Sequence, residues 1–183
     1  LKVIVPIAGL GTRMLPATKA IPKEMLPIVD KPIIQYVVEE AVKAGFKEII
    51  FVTHSSKSLV ENHFDTSFEL ESALEKKLMR SALKEIRLIS QLNVLIHNVI
   101  QGEAKGLGHA ILCAKTIIGK EPFAVMLPDM VIDSSKNTNN LSIMKREFDK
   151  NGVSSILLGK AKKEDINKYG IVKAKRIPKE KFF

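Results

Sequence analysis

Val3-Ile4-Val5-Pro6-Ile7-Ala8-Gly9-Leu10-Gly11-Thr12-Arg13 decides how this chain folds. The apolar run at its start is short and β-branched, which predicts a buried strand over Val3–Ile7. Two glycines, Gly9 and Gly11, follow at once after Ala8. Glycine lets a backbone turn sharply and come close to a ligand. The N–H groups such a turn exposes form a concavity suited to anions.

The segment continues through Met14-Leu15-Pro16-Ala17-Thr18-Lys19-Ala20-Ile21-Pro22-Lys23-Glu24-Met25-Leu26-Pro27. Arg13 brings a planar fork that can grip a phosphate, and Lys23 brings a point charge. Pro16, Pro22 and Pro27 restrict the loop's backbone. The chemistry is that of a polyphosphate site. The alternative is a glycine-rich strand-to-helix turn with solvated lysines, in which Thr12, Arg13, Lys23 and Glu24 coincide by accident.

Two well-known phosphate loops do not fit. The Walker loop requires G-x-x-x-x-G-K-[ST], which is missing. The dinucleotide fingerprint needs a small residue three after the second glycine, and Met14 stands there. The segment resembles instead the G-x-G-T-R…P-K-x-x-L-P signature of the sugar-phosphate nucleotidyltransferases, in its uridylyltransferase branch. The resemblance runs over the whole chain.

Working outward, Ile33, Ile34, Val37, Val38, Ala41 and Val42 share one helical stripe, with Pro32 at its first position and Gly45 as its stop. Ile49–Val52 is a second buried strand. Strand, loop, helix and strand make a βαβ unit with a parallel sheet and a right-handed crossover. Ligands of such sheets sit outside the carboxyl ends of the strands, where Gly9–Arg13 falls. The expected fold is α/β and Rossmann-like, a mostly parallel central sheet flanked by helices. The resemblance implies the nucleotide-diphospho-sugar transferase version of it.

Further along, Thr66 and Glu69 suggest a capping box opening a long amphipathic helix that breaks near Ser81. That helix reads as cover or a subunit contact. Val94–Ile100 predicts a third strand, ending at Gln101-Gly102-Glu103-Ala104-Lys105-Gly106-Leu107-Gly108-His109. A glycine-rich strand end suits a flat ring laid on backbone, and Gln101 offers both a donor and an acceptor. His109 reads as a residue that only packs, and His54 as a loop histidine. Ala110–Ile118 predicts a helix closed by Gly119, and Phe123–Leu127 a fourth strand ending in Pro128-Asp129. A carboxylate there suits Mg²⁺, held together with substrate phosphates. Asp133 is a weaker candidate. Asn140–Lys150 is expected helical with Gly152 as cap, and Val153–Gly159 extended. Tyr169-Gly170 reads as a turn before one more strand.

Composition narrows the classes. The 183 residues are enough for one domain with a good core. The net charge of +9 invites a nucleic-acid reading. However, twelve Lys/Arg against five Asp/Glu fall from Lys145 onward, with few aromatics among them. A solvated basic face is the better account, so no nucleic-acid partner is expected. No apolar run is long enough for a membrane span. Lys2 begins a strand rather than a leader, and the lone cysteine, Cys113, reads as small core filler in a reducing compartment. The expected location is cytoplasmic.

The resemblance implies an enzyme that transfers UMP from UTP to α-D-glucose 1-phosphate and releases pyrophosphate. It implies Arg13 and Lys23 as catalytic. It implies Ala8, Gly9, Gly11, Thr12, Glu24, Gln101, Gly106 and Gly108 as nucleotide-binding, with Gln101 and Gly108 reading the uracil edge. Asp129 would bind Mg²⁺, and Tyr169 and Gly170 would contact the sugar. A homo-oligomer, dimer or tetramer, is implied. The family's Glu-Lys-Pro segment and a later metal aspartate are not found in the sequence. The expectation is therefore one nucleotidyltransferase domain over residues 1–183, truncated at its C-terminal end. A non-catalytic regulatory homologue and a thymidylyltransferase are the competing readings. A nicotinamide-dependent dehydrogenase is disfavoured by the missing third glycine and by Thr53-His54, where an acidic residue is needed.

Overall fold

The computed structural model describes residues 1–54, 59–132 and 139–173. Asp133 and the Ser55–Lys57 part of the His54 loop lie outside them. The elements are β1 (Lys2–Pro6), β2 (Pro27–Ile28), β3 (Lys31–Pro32), α1 (Ile33–Lys43), β4 (Glu48–Thr53), α2 (Leu59–Phe64), α3 (Phe68–Lys76), α4 (Arg80–Ser90), β5 (Leu95–Ile100), α5 (Leu107–Cys113), α6 (Lys115–Ile118), β6 (Phe123–Val125) and α7 (Asn140–Asn151).

Four strands form one sheet in the order β5-β4-β1-β6, and every pairing is parallel. Alternation along a strand sends its side chains to opposite faces. Val3, Val5, Ile49 and Phe51 accordingly pack on one face against Ile34, Val37, Val38 and Ala41 of α1, Val60 and Phe64 of α2, and Leu141 of α7. Ile4, Ile50 and Val52 pack on the other face against Ala110, Ala114 and Ile118 of α5 and α6. Covering both faces of β1 and β4 explains why these strands read as continuous apolar runs.

The strand order reverses at β1. The chain moves outward through β4 to β5, then returns to place β6 on the far side of β1. The helix after β1 and the helices before β6 cover opposite faces. A crevice at the carboxyl ends of β1 and β6 follows from that reversal, the place where open α/β sheets bind ligands.

Several local expectations are corrected. Pro32 caps α1 rather than occupying its first turn, because residues 27–32 form a small antiparallel hairpin, β2–β3. The Thr66/Glu69 capping box is not made. α3 starts at Phe68 after Ser67, with no side-chain cap. The long helix does break near Ser81, at Lys77–Met79 between α3 and α4, where Leu78 takes φ 55°. Arg87 joins the two pieces by binding Glu71 at 2.8 Å and also Glu75. The Ala110–Ile118 helix starts earlier, at Leu107, and divides at Ala114 into α5 and α6. β6 stops at Val125.

Residues 153–159 are not a strand, nor are residues 171–173. Val153 and Ile156 are exposed, and no described strand lies beside this stretch to pair with it. A β-branched run becomes a strand only against a partner. The α7 expectation holds in full. Asn139 accepts a hydrogen bond from the Ser142 N–H at 2.8 Å, and Gly152 closes the helix at φ 66°. Cys113 is a half-buried thiol at the end of α5, packed beside the second core cluster, as its filler role required.

Candidate active site

The loop after β1 folds back on itself. Gly11 takes φ 65°, a left-handed conformation that favours glycine. A short 3-10 turn, Thr12–Met14, follows and presents Arg13. Thr18 is buried, and its hydroxyl donates to the Gly11 carbonyl at 2.7 Å. A Cβ on Gly11 would meet Thr18 Cβ and Cγ2 at 3.1 Å and Lys23 Cβ at 3.3 Å. The loop is thus pinned at Gly11 from two sides. Two more 3-10 turns, Ala17–Lys19 and Lys23–Met25, carry it into the β2–β3 hairpin.

Lys23 is the centre of the arrangement. Its ammonium lies against Gly9, where a Cβ would sit 3.5 Å from Cε and 3.7 Å from Nζ. It donates to Asp129 Oδ2 at 3.1 Å and stands 3.9 Å from Glu24 Oε1. Asp129 is 106 residues away in sequence. The contact forms because β6 lies beside β1, so the loops after both strands open on the same crevice. The Glu24 carboxylate is buried at 2% exposure, and the Asp129 carboxylate is open to solvent. An ammonium between two carboxylates, beside glycine backbone, is poised to turn toward a phosphate.

Gln101 stands just past the end of β5, two strands from β1. Strand register places Pro6 level with Val52 and Val52 level with Val99. Ala8 and Gln101 each lie two residues further on, so they are at the same height. β1 and β5 are separated only by β4, which puts their ends about 10 Å apart. That distance suits a base at one end and phosphates at the other. Gln101 is 3% exposed, and its amide nitrogen is 3.2 Å from the Gly106 carbonyl and 3.0 Å from His109 Nδ1. Gly106 caps α5 at φ 88°, and Gly108 is exposed in its first turn.

The structure therefore brings together Ala8, Gly9, Gly11, Thr12 and Arg13 on one loop, with Lys23, Glu24 and Asp129 around its mouth. Gln101, Gly106 and Gly108 gather two strands away. Thr12 and Arg13 are exposed, and Arg13 has no ion-pair partner among the described residues. Tyr169 and Gly170 are exposed after the 3-10 turn Lys163–Lys168, and no side-chain hydrogen bond ties Tyr169 to the loop among the described residues. His54 is exposed at the end of β4. No described cluster of three His, Cys, Asp or Glu side chains forms a ready-made metal site. No described helix is long and apolar enough to cross a membrane.

Two residues escaped the sequence reading. His109 does more than pack, since it touches the Gln101 amide. The signal was there: a strand end, a glycine turn and the first turn of a helix return position 109 over position 101. Thr18 gave no such signal, because its role depends on the loop's own path.

Known proteins share this fold and much of this sequence. A UTP–glucose-1-phosphate uridylyltransferase from Haemophilus ducreyi is 58% identical over 175 residues, which cover 94% of this chain and 59% of that protein. The enzyme of that name from Escherichia coli K12 is 55% identical over 179 residues, covering 96% and 59%. The chain thus spans less than two thirds of these curated relatives. A UDP-glucose pyrophosphorylase from Acinetobacter baumannii superposes with a TM-score of 0.90 at 47% identity, covering 98% of this chain and 63% of that one. A UTP-bound structure of the Acinetobacter baumannii enzyme gives 0.77 at 51% identity, over 82% and 53%. The nucleotidyl transferase family model matches residues 2–181, and the chain belongs to the nucleotidyl transferase family.

Proposed function

We propose that the protein carrying this chain transfers UMP from UTP to α-D-glucose 1-phosphate, giving UDP-glucose and pyrophosphate. The observation that supports this best is the Lys23–Asp129 contact at 3.1 Å across the reversal point of the sheet, on a glycine loop. The sugar-phosphate oxygen would attack the α-phosphorus in line. The bond from that phosphorus to the β-phosphate oxygen would break, and pyrophosphate would leave with the electron pair. Such a transfer needs orientation and charge neutralisation rather than a covalent nucleophile. Arg13 is assigned the departing phosphates. Lys23 is assigned the charge around the α-phosphate, exchanging its bond to Asp129 for one to the nucleotide.

Ala8, Gly9, Gly11 and Thr12 would supply backbone contacts, with Glu24 holding Lys23 in place. Gln101, Gly106 and Gly108 would hold the base. Asp129, once released by Lys23, is an exposed hard oxygen donor at the phosphate end, which fits a divalent cation such as Mg²⁺. When bound, such an ion would neutralise phosphate charge. Tyr169 and Gly170 are assigned to the sugar, residues 1–183 to one nucleotidyltransferase domain, and the assembly to a homo-oligomer. A cytoplasmic location fits these substrates.

Product formation by the purified native-length protein tests the reading. UDP-glucose should appear from UTP and glucose 1-phosphate. TTP should be a weaker substrate, because one methyl group discriminates by only about 1–3 kcal/mol. Equal turnover with ATP, or none with UTP, would contradict it.

A further inference from the structure

The Gln101 backbone is fixed by its N–H bond to the Thr53 carbonyl at 2.6 Å. Its side-chain amide nitrogen has two hydrogens and two neighbours, the Gly106 carbonyl at 3.2 Å and His109 Nδ1 at 3.0 Å. A carbonyl can only accept. The second hydrogen therefore meets Nδ1 of a neutral imidazole whose proton is on Nε2. Both donors are used inside the protein, and no described group donates to Oε1. Held in this way, Gln101 offers a ligand an acceptor and nothing else. Turning the amide over would set its oxygen against the Gly106 oxygen, and Nδ1 would meet it favourably only after the ring moved its proton from Nε2 to Nδ1.

We propose that His109 is a specificity-positioning residue, which locks the Gln101 amide so that the pocket selects a base carrying an imide N–H over one carrying a ring-nitrogen lone pair. The proposal rests on the nucleotide reading above. Uracil presents a donor at N3, which the Gln101 oxygen accepts. Cytosine presents a lone pair there, which that oxygen repels. Rejection of the wrong base comes from a polar atom that cannot turn to suit it. His109 need not touch the nucleotide to do this.

The test measures kcat and KM for UTP and for CTP, with glucose 1-phosphate, on the native-length protein and on His109→Leu and His109→Asn. Leucine removes the acceptor. The UTP-to-CTP ratio of kcat/KM should fall about 3- to 10-fold, the worth of one hydrogen bond. The change should lie in KM, with kcat for UTP within twofold, because Gln101 is two strands from Lys23. Asparagine restores an acceptor oxygen on Cγ, where Nδ1 stood, and should hold the ratio within twofold. A parental ratio in the leucine variant, or an asparagine variant that loses the ratio as leucine does, would overturn the proposal. Nitrogen-15 NMR of the unmodified protein gives a check independent of any variant. Nδ1 of His109 should be unprotonated and Nε2 protonated, and the opposite tautomer refutes the lock. A parent that binds neither UTP nor CTP overturns the nucleotide reading and this proposal together. A parent that prefers UTP, with variants that keep the preference, overturns this proposal alone.

Discussion

Gly11→Ala is expected to weaken nucleotide binding strongly while the sheet survives. Gly11 sits at φ 65°, where an alanine costs about 1–2 kcal/mol relative to right-handed backbone. The new Cβ would also lie 3.1 Å from Thr18 Cβ and Cγ2. Thr18 is buried and bonded to Gly11 itself, so it cannot swing away freely. Pushing its side chain off a rotamer adds about 0.5–1.5 kcal/mol. Together these give roughly 1.5–3.5 kcal/mol against the loop conformation, or about 10- to 300-fold in affinity. The two core clusters contain neither Gly11 nor Thr18, so most of the cost falls on the loop. Gly9→Ala is the contrast. Its Cβ would meet only Lys23 Cε at 3.5 Å and Nζ at 3.7 Å, an ordinary contact. That variant should unfold like the parent in urea, yet bind UTP poorly because the methyl occupies the space before the ammonium. Titration calorimetry with UTP and urea unfolding on both variants decide the matter. A Gly11→Ala protein that binds UTP within twofold of the parent would refute the reasoning.

Val29 is 92% exposed and takes φ 64° in the turn between β2 and β3, a strained conformation for a β-branched residue. Val29→Gly should raise stability by about 0.5–1 kcal/mol, read as a higher urea midpoint, and an unchanged or lower midpoint would contradict that strain. Burial lowers the pKa of His63, whose Nε2 lies 3.0 Å from Gln35 Oε1. The folded state therefore prefers the neutral ring. Its contribution is complete above the ordinary histidine value and declines as pH falls below about 6.5. The loss of stability between pH 7.5 and 5.5 should be smaller in His63→Gln than in the parent, and equal losses would rule the group out. Asp129→Asn removes the charge that holds Lys23 at 3.1 Å, so UTP binding measured without divalent cation should be unchanged or tighter. Weaker binding under that condition would show that Asp129 does not compete with phosphate for Lys23.

The strands were legible because burial leaves a strong mark. Val3–Val5 and Ile49–Val52 are covered on both faces, so their composition alone identified them. The glycine loop was legible for a similar reason, since Gly11 stands where a left-handed turn requires it. What failed was local capping and strand partnership. Ser67 and not Thr66 precedes α3, a difference of one residue that no periodicity resolves. Residues 153–159 have strand composition but pair with no strand among the described residues. The β2–β3 hairpin has two residues per strand, too short for any alternation to show. The Lys23–Asp129 contact depends on β6 crossing to the far side of β1, which no local pattern encodes. The His109–Gln101 contact was within reach of the sequence, because a glycine turn of fixed length joins them.

The decisive measurement is the turnover of Lys23→Ala under saturating UTP and glucose 1-phosphate. Lys23 touches Gly9, Glu24 and Asp129 at once. If the crevice between β1 and β6 carries the transfer, kcat should fall by about 10²–10³, the scale of losing one charge-stabilising donor. A Lys23→Ala protein that makes UDP-glucose at the parental rate would contradict the assignment of the chemistry to this site.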